Sequence, residues 1–212
     1  MLHRFFIIFI LFISLLKSAY ADNIVTHNYS ISIEAPVSLP AEEEKLMTII
    51  SVIERRMSEI GTITNLNIDK NQLNFIINTK LSSERLTYIL LKPGIFAVKD
   101  EGGNKTDLNV LYAYSAIGMD LYQELNIALS QDSAEIFEKI TEKNLKKKLA
   151  SILDNEILSE PVVMEKISCG NLKITFGYYK PAFNPEDVAV ILRNGPLSSE
   201  IKIIKMEKLK KV

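Results

Sequence analysis

Apolar side chains change their period several times along this chain, and each change marks an element. Tyr29, Ile31 and Ile33 alternate with Ser30 and Ser32, which predicts a strand with one buried face. Leu46, Ile49, Ile50, Ile53, Met57 and Ile60 then recur at helical spacing. That helix is expected to start near Pro40 with Glu42, Glu43 and Glu44 in its first turn, where carboxylates suit the positive end of the dipole, and to end at Gly61. Strands follow around Thr62–Ile68 and Gln72–Asn78, joined by Asp69-Lys70-Asn71. A short helix comes next from Ser82 to about Leu91, then a Pro93-Gly94 turn and a strand over Ile95–Val98. The order β-α-β-β-α-β predicts a ferredoxin-like unit with its helices on one face of a sheet.

A second α/β unit is expected after the Gly102-Gly103-Asn104 loop. The pattern is weak from Asn109 to Asp120, and alternation returns at Glu124–Leu129 through Leu125, Ile127 and Leu129. A helix over Asp132–Asn144 is expected to bury Ile136, Phe137 and Ile140, with Ser130 as its cap. Lys146-Lys147-Lys148 reads as a solvated helix end. Asp154-Asn155 predicts a two-residue hairpin turn, and Asn171–Phe176 a strand. A final helix over Pro185–Asn194 has Asn184 as cap, Pro185 in its first turn and Gly195 beyond its end. Ile201–Ile204 is a last strand. The fold class expected is α+β: a base over 22–108 completed by 198–212, and a smaller head over 109–197.

The beginning of the chain bears on its compartment. Arg4 precedes an apolar run from Phe5 to Leu16, and Ala19 and Ala21 stand where a signal peptidase wants small residues. The run is shorter than the roughly 20 residues a spanning helix needs. Residues 1–21 therefore read as an export signal cleaved after Ala21, with an uncleaved anchor as the alternative. Cleavage takes two of the 25 basic groups and leaves 23 against 26 acids. Such a balance, with no basic face, argues against nucleic acid. Lys205, Lys208, Lys210 and Lys211 offer at most a peripheral contact with anionic lipid.

Little in the chain points to covalent chemistry. Past the signal there is one histidine, His27, in the segment before the first strand, and one cysteine, Cys169. An internal disulfide is therefore excluded. The two could pair as nucleophile and base of an envelope hydrolase, but neither has a partner at a telling spacing. No metal-ligand cluster, phosphate loop or nucleophile elbow is present, so no cofactor, no metal and no catalytic residue are expected. The Tyr178-Tyr179-Lys180-Pro181-Ala182-Phe183 run is the one aromatic cluster after the signal. Tyr178 and Tyr179 are the candidate polypeptide-binding residues, and Phe183 a staple for the helix that follows.

Three segments carry a family resemblance: Leu153-Asp154-Asn155, Leu158-Ser159-Glu160-Pro161-Val162, and Leu192-Arg193-Asn194-Gly195-Pro196-Leu197. A fourth is Ile53 to Gly61, with Arg56 inside it. In this order they resemble the periplasmic base-plus-head domain of the SecD family of protein-export subunits. The resemblance implies a non-enzymatic periplasmic domain that binds unfolded or translocating polypeptide and works with Sec membrane subunits. It also implies that the last strand returns to the base sheet. A structural adaptor on an envelope complex is the alternative. Full SecD proteins carry spanning helices that drive proton-coupled motion; this chain shows none, so that activity does not carry over.

Export should leave Asp22 as the first residue. N-terminal sequencing of the envelope-fraction protein checks this; an intact Met1 would overturn it.

Overall fold

The computed structural model describes residues 25–38, 41–176 and 183–210. Ala19 and Ala21 lie outside them. Four strands form the first sheet: β1 (His27–Glu34), β2 (Gly61–Asp69), β3 (Gln72–Thr79) and β11 (Lys202–Leu209), in the order β11-β1-β3-β2 with antiparallel neighbours. Tyr29, Ile31 and Ile33 bury one face together with Leu73, Phe75 and Ile77. Against that face pack α1 (Glu43–Ile60), through Leu46, Ile49, Ile53 and Met57, and α2 (Ser83–Leu91), through Leu86, Ile89 and Leu90. Ser82 caps α2 by accepting from Arg85 N.

The strand expected at Ile95–Val98 is β4 (Phe96–Asp100), but it does not complete this sheet. It pairs with β5 (Lys105–Asp107) and β8 (Leu149–Leu153), with β9 (Glu156–Ser159) beyond, in the order β5-β4-β8-β9. The place beside β1 belongs to β11, with Ile31 opposite Met206 and Ile33 opposite Ile203. The physical reason lies in the turn after α2. Gly94 takes a φ of 94°, and Asp154 Oδ1 accepts from Gly94 N at 2.9 Å and Ile95 N at 2.8 Å. The chain is thereby aimed at the β8–β9 hairpin. Phe96, Ala97 and Val98 are all buried, as suits a strand covered on both faces.

A third sheet, β10-β7-β6, comprises β6 (Val110–Ile117), β7 (Gln123–Leu129) and β10 (Asn171–Thr175). β6 occupies the stretch where no pattern was legible, because Leu111, Tyr112, Tyr114 and Ile117 are exposed and mask its alternation. Helix α3 (Gln131–Lys143) is capped by Ser130, which accepts from Ser133 N. It buries Phe137 and Thr141 and packs Ile140, but Ile136 is exposed, lying off the stripe those residues define. Lys146-Lys147-Lys148 is not a helix end: α3 stops at Lys143, and Lys146 sits in a turn with a φ of 65°. Gly61 does not cap α1 in the left-handed region either. Its φ is −177°, and a Cβ there would stand 2.5 Å from Asn78 O, so close strand approach is what requires glycine.

Helix α4 (Pro185–Arg193) is buried from Val188 to Leu192, and arginines tie it to the first unit. Arg56 is fully buried. Its Nη1 donates to Ile89 O at 3.0 Å and Lys92 O at 2.6 Å; its Nη2 donates to Pro93 O at 3.0 Å and Gly195 O at 2.8 Å. One guanidinium thus gathers α1, the end of α2 and the end of α4. Burial pushes its pKa down to about 10, with Asp154 opposing the shift, so it stays charged near neutrality. Arg193 Nε donates to Glu59 at 3.1 Å, Asn194 Nδ2 to Glu59 at 2.7 Å, and Arg193 Nη1 to Ala113 O on β6. Arg85 holds Asp187 through Nε at 2.9 Å and Nη2 at 2.6 Å. Tyr88 and Lys92 both reach Glu156, at 2.9 and 2.8 Å.

Arg56→Met should cost about 3 kcal/mol or more, because a buried guanidinium that bonds four carbonyls is lost and Ile89 O, Lys92 O and Gly195 O are left without it, while Pro93 O keeps Leu197 N. Urea denaturation measures it; a loss under about 1 kcal/mol would overturn the role. The Glu59 pair adds a pH dependence. Desolvation opposes ionisation of Glu59, but the hydrogen bonds from Arg193 and Asn194 outweigh it and hold its carboxyl below the ordinary 4.5. The resulting stability is present above 4.5 and lost as pH falls through the lower folded value. The stability gap between the wild type and Glu59→Gln should therefore shrink in acid, as read from melting temperatures across pH.

Candidate functional site

The β8–β9 turn has Asp154 at a φ of 54°, the positive-φ position a two-residue hairpin demands. After β9 the chain keeps running beside the start of β8. Leu149 N donates to Pro161 O at 2.9 Å and Val163 N to Lys147 O at 2.9 Å. This places Val162 and Met164 on one wall of a groove of about 500 Å³. Phe137 and Thr141 of α3 and Leu149 of β8 also line it, and β10 forms the facing wall from Asn171 to Thr175. Thr141 Oγ1 fixes the bend beyond Met164 by accepting from Ile167 N at 3.1 Å.

Phe137, Leu149, Val163 and Ile174 are buried, whereas Val162 is 46% and Met164 66% exposed. An apolar floor with two exposed apolar side chains on its rim suits a ligand that is itself partly apolar. Three nearby lysines are paired with carboxylates, whereas Glu165 on the lining is exposed and has no ion-pair partner among the described residues. Lys166 lies 2.7 Å from Glu138, Lys173 3.2 Å from Glu124, and Lys148 3.6 Å from Glu160. The hydrogen bond from Lys166 holds the Glu138 carboxyl below its ordinary range.

The expected polypeptide-binding residues Tyr178 and Tyr179 lie outside the described residues. The residues flanking them are described, and both belong to this region. Phe176 follows β10, with its N–H donating to Gln123 O at 3.0 Å. Phe183 precedes the cap of α4, where Asn184 accepts from Glu186 N at 2.9 Å. The two phenylalanine rings meet edge to face at 5.4 Å. Phe183 was expected to staple α4; its ring partner is Phe176.

His27 and Cys169 sit in different units. His27 is the first residue of β1 rather than part of a preceding segment, and its ring meets Tyr29 edge-on at 6.1 Å. Cys169 is an exposed free thiol before Gly170. Among the described residues no three His, Cys, Asp or Glu side chains gather as a metal site would need. No helix among them is long and apolar enough to cross a membrane. Sequence reasoning missed the groove itself. Val162-Val163-Met164 directly after Pro161 was the available signal, but its meaning depends on β10 from another sheet.

The geometry can be set beside known proteins. Residues 112–199 match the family described as SecDF, P1 head subdomain. Over 80 residues the chain is 41% identical to protein translocase subunit SecD of Syntrophobacter fumaroxidans, covering 37% of this chain and 15% of that protein. Over 175 residues it is 25% identical to the SecD of Acidaminococcus fermentans, covering 81% of this chain and 41% of that protein. The chain thus spans less than half the length of these relatives. A solved structure described as a membrane component SecDF that enhances protein export superposes with a TM-score of 0.62 at 18% identity, over 86% of this chain and all of that one. SecDF in a super-membrane-facing form superposes with a TM-score of 0.65, over 85% of this chain and 30% of that one. These two similarities speak to the fold.

Proposed function

We propose, from the match of residues 112–199 to the SecDF P1 head subdomain and the similarity to SecD proteins, that the chain binds unfolded polypeptide outside the bacterial inner membrane and assists its export or subsequent handling. The observation that carries this reading is the apolar groove between β10 and the Val162–Met164 segment, within the stretch that matches the head subdomain. Main-chain and apolar contacts need no nucleophile, metal or cofactor, so the role is binding rather than catalysis. Tyr178 and Tyr179, which follow β10 in the sequence after Phe176 and Gly177, are the further contacts proposed, since tyrosine rings bury area at little entropic cost.

A second reading has its own observation. At the β6–β7 turn, Ile117, Met119 and Leu121 are all exposed, and Leu121 holds a φ of 65° that ordinarily suits glycine or asparagine. An apolar tip of this kind fits an adaptor that docks on a membrane-bound Sec subunit.

Binding of a reduced, carboxymethylated model protein separates the two. Val162→Ser with Met164→Ser should weaken it by roughly tenfold, the scale of losing an interface anchor. Tyr178→Ala with Tyr179→Ala should act in the same direction, with melting temperatures nearly unchanged in both. Met119→Ser with Leu121→Ser should leave client binding intact. Unaltered binding in both groove-side variants would overturn the first reading. Loss of one stable membrane partner in the tip variant would favour the second.

A further inference from the structure

β10 is an edge strand, and its hydrogen-bonding register can be read from its ends. Leu129 N donates to Gly170 O at 2.9 Å, and Phe176 N donates to Gln123 O at 3.0 Å. Between them Leu172 faces Ile127 and Ile174 faces Leu125. In an antiparallel pair, bonded residues alternate along each strand. Residues 170, 172, 174 and 176 therefore direct their backbone groups at β7. Asn171, Lys173 and Thr175 direct theirs the other way, and all three line the groove.

The two outer strands of the first sheet are guarded, and β6, the far edge of the β10 sheet, carries a register shift between Val110 and Tyr112. β2 carries a register shift with Asn65 at a φ of 54°, and β11 carries another register shift with exposed Lys202, Lys205 and Lys208. The opposite wall of the groove contains Pro161, which has no N–H to offer. β10 has neither proline nor register shift, and its one lysine, Lys173, is drawn toward Glu124 at 3.2 Å. Its five residues span about 17 Å, room for an extended segment of similar length.

We infer that a client polypeptide adds to β10 as a further strand, bonded by the outward backbone groups of Asn171, Lys173 and Thr175. Alternate client side chains then rest on Val162 and Met164 across the groove. This deepens, and rests on, the polypeptide-binding reading. Charge supports the occupant chosen. Lys166, Lys173 and Lys148 are already paired to carboxylates, which leaves Glu165 as the single unpaired charge on the lining; one carboxylate is no strong excess of one sign, and selection falls to the main chain and apolar surface. Such recognition is largely indifferent to client sequence.

Amide hydrogen exchange by NMR tests this on the wild-type protein, with and without a saturating nine-residue peptide of alternating valine and threonine flanked by lysines. The Lys173 and Thr175 amides should gain at least about tenfold protection, while Leu172 and Ile174, already bonded to β7, change little. The fully N-methylated peptide should not bind. Lys173→Pro, which removes an outward N–H and no β7 bond, should weaken binding by about tenfold; Lys173→Ala should change it less than about threefold. Binding without protection at Lys173 and Thr175 would overturn strand addition while leaving the groove reading in place. No binding by either unfolded protein or peptide would overturn both. Protection of these amides without peptide, in a protein that sediments as a dimer, would assign the edge to a second copy and overturn the proposal.

Discussion

The buried Arg56 guanidinium is the constraint on which the rest of the molecule depends. It lies on α1 and donates to carbonyls at the end of α2, in the Pro93-Gly94 turn, and beyond α4. These acceptors are helix-end and turn carbonyls, the groups that secondary structure leaves unsatisfied. A single planar cation meets four of them at once, which an apolar residue could not do. Gly94 belongs to the same arrangement: a Cβ there would come within 2.6 Å of Arg56 Nη2. Asp154 completes it from the head, turning the chain into β4 through two backbone N–H groups. The first sheet and the head are thus joined by polar groups at chain turns, with α4 packed between them.

Around this centre the ion pairs divide by position. Arg85 with Asp187 and Arg193 with Glu59 fasten the two ends of α4 to α2 and α1. Asp187 and Glu59 are held by arginine forks, whose geometry suits carboxylates better than lysine does. The lysine pairs near the groove are more exposed and contribute little to stability. Their effect is to cancel charge around an apolar channel. The joint is therefore polar, and the groove mainly apolar with Glu165 as its one unpaired charge. The family segments recognised in the chain fall mostly on the joint: Arg56, Asp154, Arg193, Asn194 and Gly195 all make or support its hydrogen bonds. The segments that resemble the family are therefore mostly ones that hold the two units together.

The amino-acid sequence by itself determined most elements, because each rests on a local signal. Periodicity defined β1, α1, β3 and β7, and capping residues defined α3 and α4 at Ser130 and Asn184. The Asp154-Asn155 turn was legible from residues that tolerate positive φ. Only the tertiary structure decided which strands share a sheet. β4 and β11 both carry apolar residues, and nothing local tells which one lies beside β1; the choice follows from Arg56 and Asp154, which act across long sequence separations. β6 escaped notice because its outward side chains are as apolar as its inward ones. The groove was illegible for the same reason as the β4 assignment. Its walls come from different sheets, and an edge strand looks like any other strand until its neighbours are known.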